Sequence, residues 1–459
     1  MLGLPRRIAK LRPPAPPIRL GPQIGVWGTF DLPDYGALLL LRIFERELRS
    51  RLPLAHVDAY SPLGYEHPIP MDGGRPALPL GRPELRRKRE LADRHDLVVV
   101  AGEVIHTRDE LYRQLYELPA EEAERLRPSA FFVDGLGPEH EARCPVVWSA
   151  GEVPFEIEPA EAARVRSALE SRPRVSVRSA SSRARLLATG STREITVVPD
   201  PTILVSRLFS ADALRKRIDY LRVMGWYPTA NSPVFVEAES SPADLTSELD
   251  DAQIVLAELS PSRGTAGLAD APTPHVPGVL RLPAQASLED IVAAIANARA
   301  VVATSPQARA TAHAFGVPVV MPTGASTEEA AIDEAAWGRL EDQVDAELDV
   351  LAALAERSWS DRAARDQRTP AALARALSQA EERYRALLRA HESRGERLVA
   401  ERLRFGEIVD RLEEAGGRLT PDAALRIAEL ENAVFTAQAA EAEARFELEE
   451  LQAEREHAG

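Results

Sequence analysis

The spacing of apolar residues changes character along this chain. Short strands are predicted at 24–28, 55–60, 97–101, 130–134 and 146–149, and the run LVVVA at 97–101 has the unbroken apolar composition of a strand covered on both faces. Between them apolar positions recur every three or four residues. In the segment 37–51, Leu40, Ile43, Phe44 and Leu48 share one helical face. Further helices are predicted at 109–117 and 120–126. Strands alternating with helices predict a doubly wound α/β domain over 23–158, after a proline-rich lead at 1–22.

A second series follows. Strands are predicted at 174–178, 195–198, 234–237, 254–259, 279–282, 301–304 and 317–321, with helices at 159–171, 211–224 and 288–298. The first of these helices bridges to a second Rossmann-like domain over 159–340. Within it, 287–322 reads helix, strand, turn, helix, strand. The turn after the strand at 300–305 lies at the carboxyl edge of a parallel sheet beside a helix N-terminus, where such folds present ligands. From 341 to 459 Ala, Glu, Arg and Leu dominate. Imperfect heptads at 371–391 and 421–455 predict a helical, coiled-coil extension suited to a partner helix or to homo-oligomerisation.

Charge narrows the function. The chain has 459 residues with 56 basic and 71 acidic side chains, a net charge of −15. That balance argues against nucleic acid as the main partner, which requires a basic face. The single cysteine, Cys144, excludes an internal disulfide and a cysteine-based metal cluster. The basic N-terminus lacks an apolar core of the kind a secretory signal carries, and the run at 37–43 is too short to span a bilayer. These features predict a soluble, cytoplasmic protein with no transmembrane segment. There is no phosphate-binding G-x-x-x-x-G-K-[ST] loop, and nothing in the sequence calls for a metal.

Several residues are placed to carry chemistry. Gly28 ends the first strand and would let a ligand approach the backbone. Asp31 and Asp34 follow in the same turn, and either could deprotonate a hydroxyl or shape the turn. Glu103 follows Gly102 at the end of the most apolar strand, aimed at the carboxyl edge. Arg178 ends a strand and precedes Ser179, Ser181 and Ser182, a combination suited to clamping a phosphate or carboxylate. Asp200 precedes Pro201 at another strand end. At the turn of the βαβ unit Ser305 and Gln307 are polar and uncharged. Arg309 and His313 lie beyond them, four residues apart on one helical face.

The segments IGVWGTFDLPDYGALLLLRIFERELRSR at 24–51, LVVVAGEVI at 97–105, VSVRSASSRARLLATG at 175–190, VVPDPTIL at 197–204 and ANARAVVATSPQARATAHAFGVPVV at 296–320 occur in this order. In these the chain resembles the polysaccharide pyruvyl transferase family, over about 20–340. The resemblance implies a GT-B-like pair of Rossmann-type domains. It implies transfer of the enolpyruvyl group of phosphoenolpyruvate to sugar hydroxyls of a cell-surface polysaccharide or its precursor, forming a pyruvate ketal. Phosphoenolpyruvate is then the donor substrate and no cofactor is needed. The acceptor is a sugar or glycan, free or linked to a nucleotide or lipid. Asp34 or Glu103 would move the proton, and Arg178 with Arg309 would hold phosphate. The family's Arg-x-His falls here on Ser305 and Gln307, its Asp after the arginine on Ser179, and its glycine-rich signature is interrupted by Glu103. These replacements set a second expectation beside the first: a catalytically impaired member that binds a glycan or nucleotide-sugar and recruits a partner through its helical extension.

Overall fold

The structure, a computed structural model, describes residues 21–64, 69, 76–102, 113, 116, 119–153, 156–229, 232–237, 253–257, 259, 279–283, 286–320 and 334–365. The lead up to residue 20, Glu103 and the helices predicted at 371–391 and 421–455 lie outside the described residues.

The strands are β1 (Gln23–Trp27), β2 (His56–Ser61), β3 (Leu78–Pro79), β4 (Leu97–Gly102), β5 (Val146–Gly151), β6 (Val175–Val177), β7 (Thr196–Val197), β8 (Val234–Glu237), β9 (Ile254–Ala257), β10 (Val279–Arg281), β11 (Ala300–Val302) and β12 (Val319–Val320). The helices are α1 (Tyr35–Arg51), α2 (Leu85–Arg94), α3 (Ala120–Leu126), α4 (Ser129–Phe132), α5 (Pro138–Glu141), α6 (Pro159–Ser171), α7 (Ala180–Leu187), α8 (Val205–Leu208), α9 (Ala211–Val223), α10 (Leu288–Ala296), α11 (Pro306–Ala314) and α12 (Glu334–Arg365). A short 3₁₀ turn, Pro201–Leu204, precedes α8.

Two sheets result. One has seven strands in the order β3-β2-β1-β4-β5-β6-β7, the other five in the order β10-β9-β8-β11-β12. Every pairing is parallel. This is the α/β class the pattern predicts, with three corrections. The strands at 175–177 and 196–197 extend the first sheet instead of opening the second, so α6 is a crossover helix within the first unit and not a bridge. Short apolar runs do not announce which sheet they join; pairing with β5 decides it. The run at 130–134 forms the helical turn α4, because Pro128 and the buried Phe131 and Phe132 anchor it under the first sheet. Third, α12 is not part of an outlying extension but folds back onto the first sheet, as its ion pairs below show.

Alternation along the strands sorts the core. Val98 and Val100 point to one face of the first sheet, with Trp148, Phe131 and Phe132. Leu97, Val99 and Ala101 point to the other, where they share a core with α1, α10, α11, α12 and Phe235 of the second sheet. One hydrophobic cluster therefore spans both sheets. Helix α1 lies in the middle of it. The pattern gives α1 one apolar face, yet Leu38, Leu39 and Leu41 are buried too, since elements of both sheets close around it. Each such leucine contributes about 1.5–3 kcal/mol through burial.

Candidate functional site

The residues with chemistry converge where the carboxyl ends of the first sheet meet the start of α11. Asp34 caps α1, accepting the Ala37 N–H at 2.8 Å. The cap fixes the first turn of the helix, and that turn is fastened to the second sheet. The Tyr35 N–H donates to the Leu259 carbonyl at 2.8 Å, and its hydroxyl lies 2.7 Å from the Thr311 hydroxyl of α11. Next to it, Gly36 is pressed against Gln307: a Cβ there would stand 2.7 Å from the Gln307 Cγ. Only glycine allows this close approach.

Gln307 uses that space to reach across the seam. Its amide donates to the Asp200 Oδ2 at 2.9 Å. The same oxygen accepts from the Arg178 Nη1 at 2.6 Å, while Asp200 Oδ1 caps the 3₁₀ turn by accepting the Thr202 N–H at 3.0 Å. Burial works against the Asp200 charge. The Arg178 charge and the bonds from Thr202 and Arg178 outweigh it, so its pKa lies below the usual carboxylate value. A second carboxylate, Glu152, stands 3.7 Å from the Arg178 Nε. It accepts hydroxyl bonds from Ser179 at 3.0 Å and Ser182 at 2.6 Å. Ser179 meanwhile caps α7 through the Ser182 N–H. One guanidinium, 10% exposed, thus faces two carboxylates.

The turn after β11 carries a third. Glu237, buried at the end of β8, accepts through Oε2 from the Thr304 N–H at 2.7 Å, the Thr304 hydroxyl at 3.1 Å and the Ser305 N–H at 2.8 Å. Ser305 is the N-cap of α11, accepting from the Ala308 N–H at 3.3 Å. Two backbone donors that an anionic ligand would seek ahead of this helix, the Thr304 and Ser305 N–H groups, are therefore held by the protein's own carboxylate.

The remaining candidates have other settings. Gly28 leaves room for the Phe30 ring, which a Cβ would meet at 2.4 Å; that ring occupies the space a ligand was expected to enter. Asp31 accepts from the Leu63 N–H at 2.9 Å, the Gly64 N–H at 3.0 Å and the Tyr116 hydroxyl. Burial pushes its pKa up despite these bonds. His313, in the last turn of α11, packs against Trp337 with ring centres 5.7 Å apart. Burial first, and the Arg309 charge second, lower its pKa. The structure thus brings together Arg178, Asp200 and Gln307, with Asp34 and Ser305 fixing the helix starts around them. Glu152 and Glu237 escaped the sequence reading. Their signal was the one used for Glu103, a carboxylate at the carboxyl end of an apolar strand. Among the described residues no group of His, Cys, Asp and Glu is placed to hold a metal ion, and no helix is long and apolar enough to cross a membrane.

Two parallel sheets, flanked by helices and sharing one hydrophobic core, define an α/β protein. Within that class, residues 34–321 match the polysaccharide pyruvyl transferase family, and the chain belongs to it. The matched span contains every residue of the cluster just described. No curated protein matches the chain in sequence. Among solved structures it is similar to the UDP-GlcNAc 2-epimerase of Methanocaldococcus jannaschii in complex with UDP-GlcNAc and UDP. Identity is 12%, coverage 71% of this chain and 92% of that chain, and the TM-score 0.41. It is also similar to the Escherichia coli ADP-heptose lipopolysaccharide heptosyltransferase II, at 14% identity, 72% and 98% coverage and a TM-score of 0.31.

Proposed function

We propose that this chain transfers the enolpyruvyl group of phosphoenolpyruvate onto two hydroxyls of a sugar in a cell-surface polysaccharide or its precursor. The observation that carries this reading is the assembly of Arg178, Asp200 and the first turn of α11 at one seam, inside the span matched to the family. In the reaction a carboxylic acid protonates the methylene carbon of the donor. One sugar hydroxyl adds to the adjacent carbon and loses its proton; a second displaces phosphate from that carbon and closes the ketal, its proton leaving with the phosphate. Asp31, Asp34 and Glu103 are the candidates for the acid. Burial raises the Asp31 pKa above the ordinary carboxylate value, the direction that favours a proton donor. Asp200, held ionised, is suited to accept a sugar hydroxyl. Arg178, with Arg309 one turn further along α11 from Ser305, would neutralise the phosphate.

A second reading is favoured by the charges around Arg178. Two carboxylates already neutralise it, Glu237 fills the turn before α11, and Ser305 and Gln307 add no cation. A doubly charged phosphate is costly to bury there. On this reading the chain binds a glycan or nucleotide-sugar without transferring pyruvate. The experiment is phosphate release from phosphoenolpyruvate with a panel of nucleotide- and lipid-linked sugars, paired with calorimetry for the donor alone. Turnover establishes the transferase. Absence of both turnover and donor binding, with an acceptor sugar still bound, leaves the binding protein.

A further inference from the structure

Strand β5 carries one residue too many. On its β4 side Ser149 pairs with Ala101 and Gly151 with Gly102; on its β6 side Trp148 pairs with Val175 and Gly151 with Val177. Ala150 is the extra residue, fully buried and at φ 50°, a left-handed conformation that costs a residue with a side chain about 1–2 kcal/mol. An inserted residue reverses the faces of everything after it. In a regular strand Trp148, Ala150 and Glu152 would share a face. Here Val153 joins the core beside Trp148, and Glu152 is released toward Arg178, Ser179 and Ser182. The bulge decides that a carboxylate, and not a valine, faces the arginine.

Something must hold this strained segment. The Ala150 N–H donates to the Ser176 hydroxyl oxygen at 3.1 Å. The Ser176 and Ser149 hydroxyls in turn donate to Oε1 of Glu347 at 2.5 and 3.0 Å. Glu347 belongs to α12 and is 3% exposed; its other oxygen accepts from Arg174 Nε at 2.9 Å and Nη2 at 2.5 Å. It lies beyond the segment matched to the family.

We propose that Glu347 is a positioning residue for the Arg178 cluster, acting through Ser149, Ser176 and the Ala150 bulge to present Glu152 to the arginine. The inference rests on the reading of that cluster as the functional site, but its test needs no ligand. In the full chain labelled with ¹⁵N-arginine and ¹⁵N-alanine, the Arg178 side-chain Nε–H resonance is assigned by its loss in Arg178→Lys. The Ala150 amide is assigned by its loss in Ala150→Gly. Glu347→Ala is expected to move both by more than a linewidth. Glu347→Gln, which keeps an acceptor for the serines, is expected to restore most of the shift. Arg362→Ala, which loosens the same helix at its other end, serves as a control for general destabilisation and is expected to leave both resonances in place. If Glu347→Ala does not fold, Ser176→Ala interrupts the same link and is expected to move the same two signals. Unmoved resonances in Glu347→Ala or Ser176→Ala, or equal movement in Arg362→Ala, overturn the proposal. Moved resonances in a protein that binds neither phosphoenolpyruvate nor sugar sustain the positioning role and remove the functional reading instead.

Discussion

Gln307 and Asp200 are joined across the seam between the sheets, amide to carboxylate, at 2.9 Å. The bond exists because Gly36 gives way to the Gln307 side chain. Replacing Gly36 with alanine places a methyl group 2.7 Å from the Gln307 Cγ and must push that side chain off Asp200. A hydrogen bond to a charged partner contributes about 1.5–3 kcal/mol. Gly36→Ala should therefore lower stability by about that much in urea unfolding, with some added strain. In a Gln307→Ala background the same substitution should cost clearly less, since the clash and the bond are both gone. Equal costs in the two backgrounds would show that Gly36 and Gln307 do not communicate.

Asp200 gives the stability a definite pH dependence. Its folded pKa lies below its ordinary value of 3.8. A depressed carboxylate contributes stability that is complete above the unfolded value and is lost as pH falls through the folded one. The contribution should hold from neutrality to about pH 4 and decline below it. Asp200→Asn, which leaves the buried Arg178 with Glu152 as its one carboxylate in this cluster, should cost about 3 kcal/mol at pH 7. Unfolding midpoints measured from pH 7 down to pH 3 should show the gap between the two proteins constant at first, then shrinking below pH 4. A gap that instead widened on acidification would contradict an ionised Asp200.

How much of this was legible in the sequence follows from which forces write a local pattern. Eleven of the twelve strands were readable, because apolar runs act within a few residues; the two-residue β3 was too short to be seen, and the apolar run at 130–134 was read as a strand although it is helical. Arg178 and Asp200 were readable as strand-end residues, though not as partners, since 22 positions separate them and only the fold closes that distance. The assignment of β6 and β7 to the first sheet was not legible, because a three-residue apolar strand such as β6 fits either sheet equally well. Glu347 was invisible for a related reason. It sits among other acidic residues of an Ala- and Glu-rich helix, and nothing in its neighbourhood distinguishes it from a solvated one.

Glu237 tests the donor question directly. Its carboxylate holds the Thr304 and Ser305 N–H groups. Glu237→Ala should free two backbone donors at a helix start, the geometry that favours phosphate. Calorimetry with inorganic phosphate and with phosphoenolpyruvate should then show binding to the variant at least tenfold tighter than to the parent, a change of about 1.4 kcal/mol. The same gain should appear as a ligand-induced rise in melting temperature. A parent protein that already binds phosphate as tightly as the variant would place the anion elsewhere and restore weight to Arg178 and Arg309.

The far end of α12 should prove as important to stability as the seam. Arg362 meets Asp96, a fully buried carboxylate, at 3.0 Å, and donates to the carbonyls of Ala92 and His95 at 2.9 and 2.6 Å and of Asp93 at 2.9 Å. Asp96 also accepts the Gln23 N–H at 2.9 Å, so it ties the start of β1 to the helix. Removing the arginine alone leaves a buried charge without this cation, at a cost of about 3–5 kcal/mol. Removing the charge as well should be less damaging than removing the cation alone. Arg362→Ala is thus expected to fall far below the parent in thermal and urea unfolding, and Arg362→Ala with Asp96→Asn to recover part of the loss. The recovery is the informative measurement: if the double variant is no more stable than Arg362→Ala, the three carbonyl bonds and not the ion pair hold the helix to the sheet.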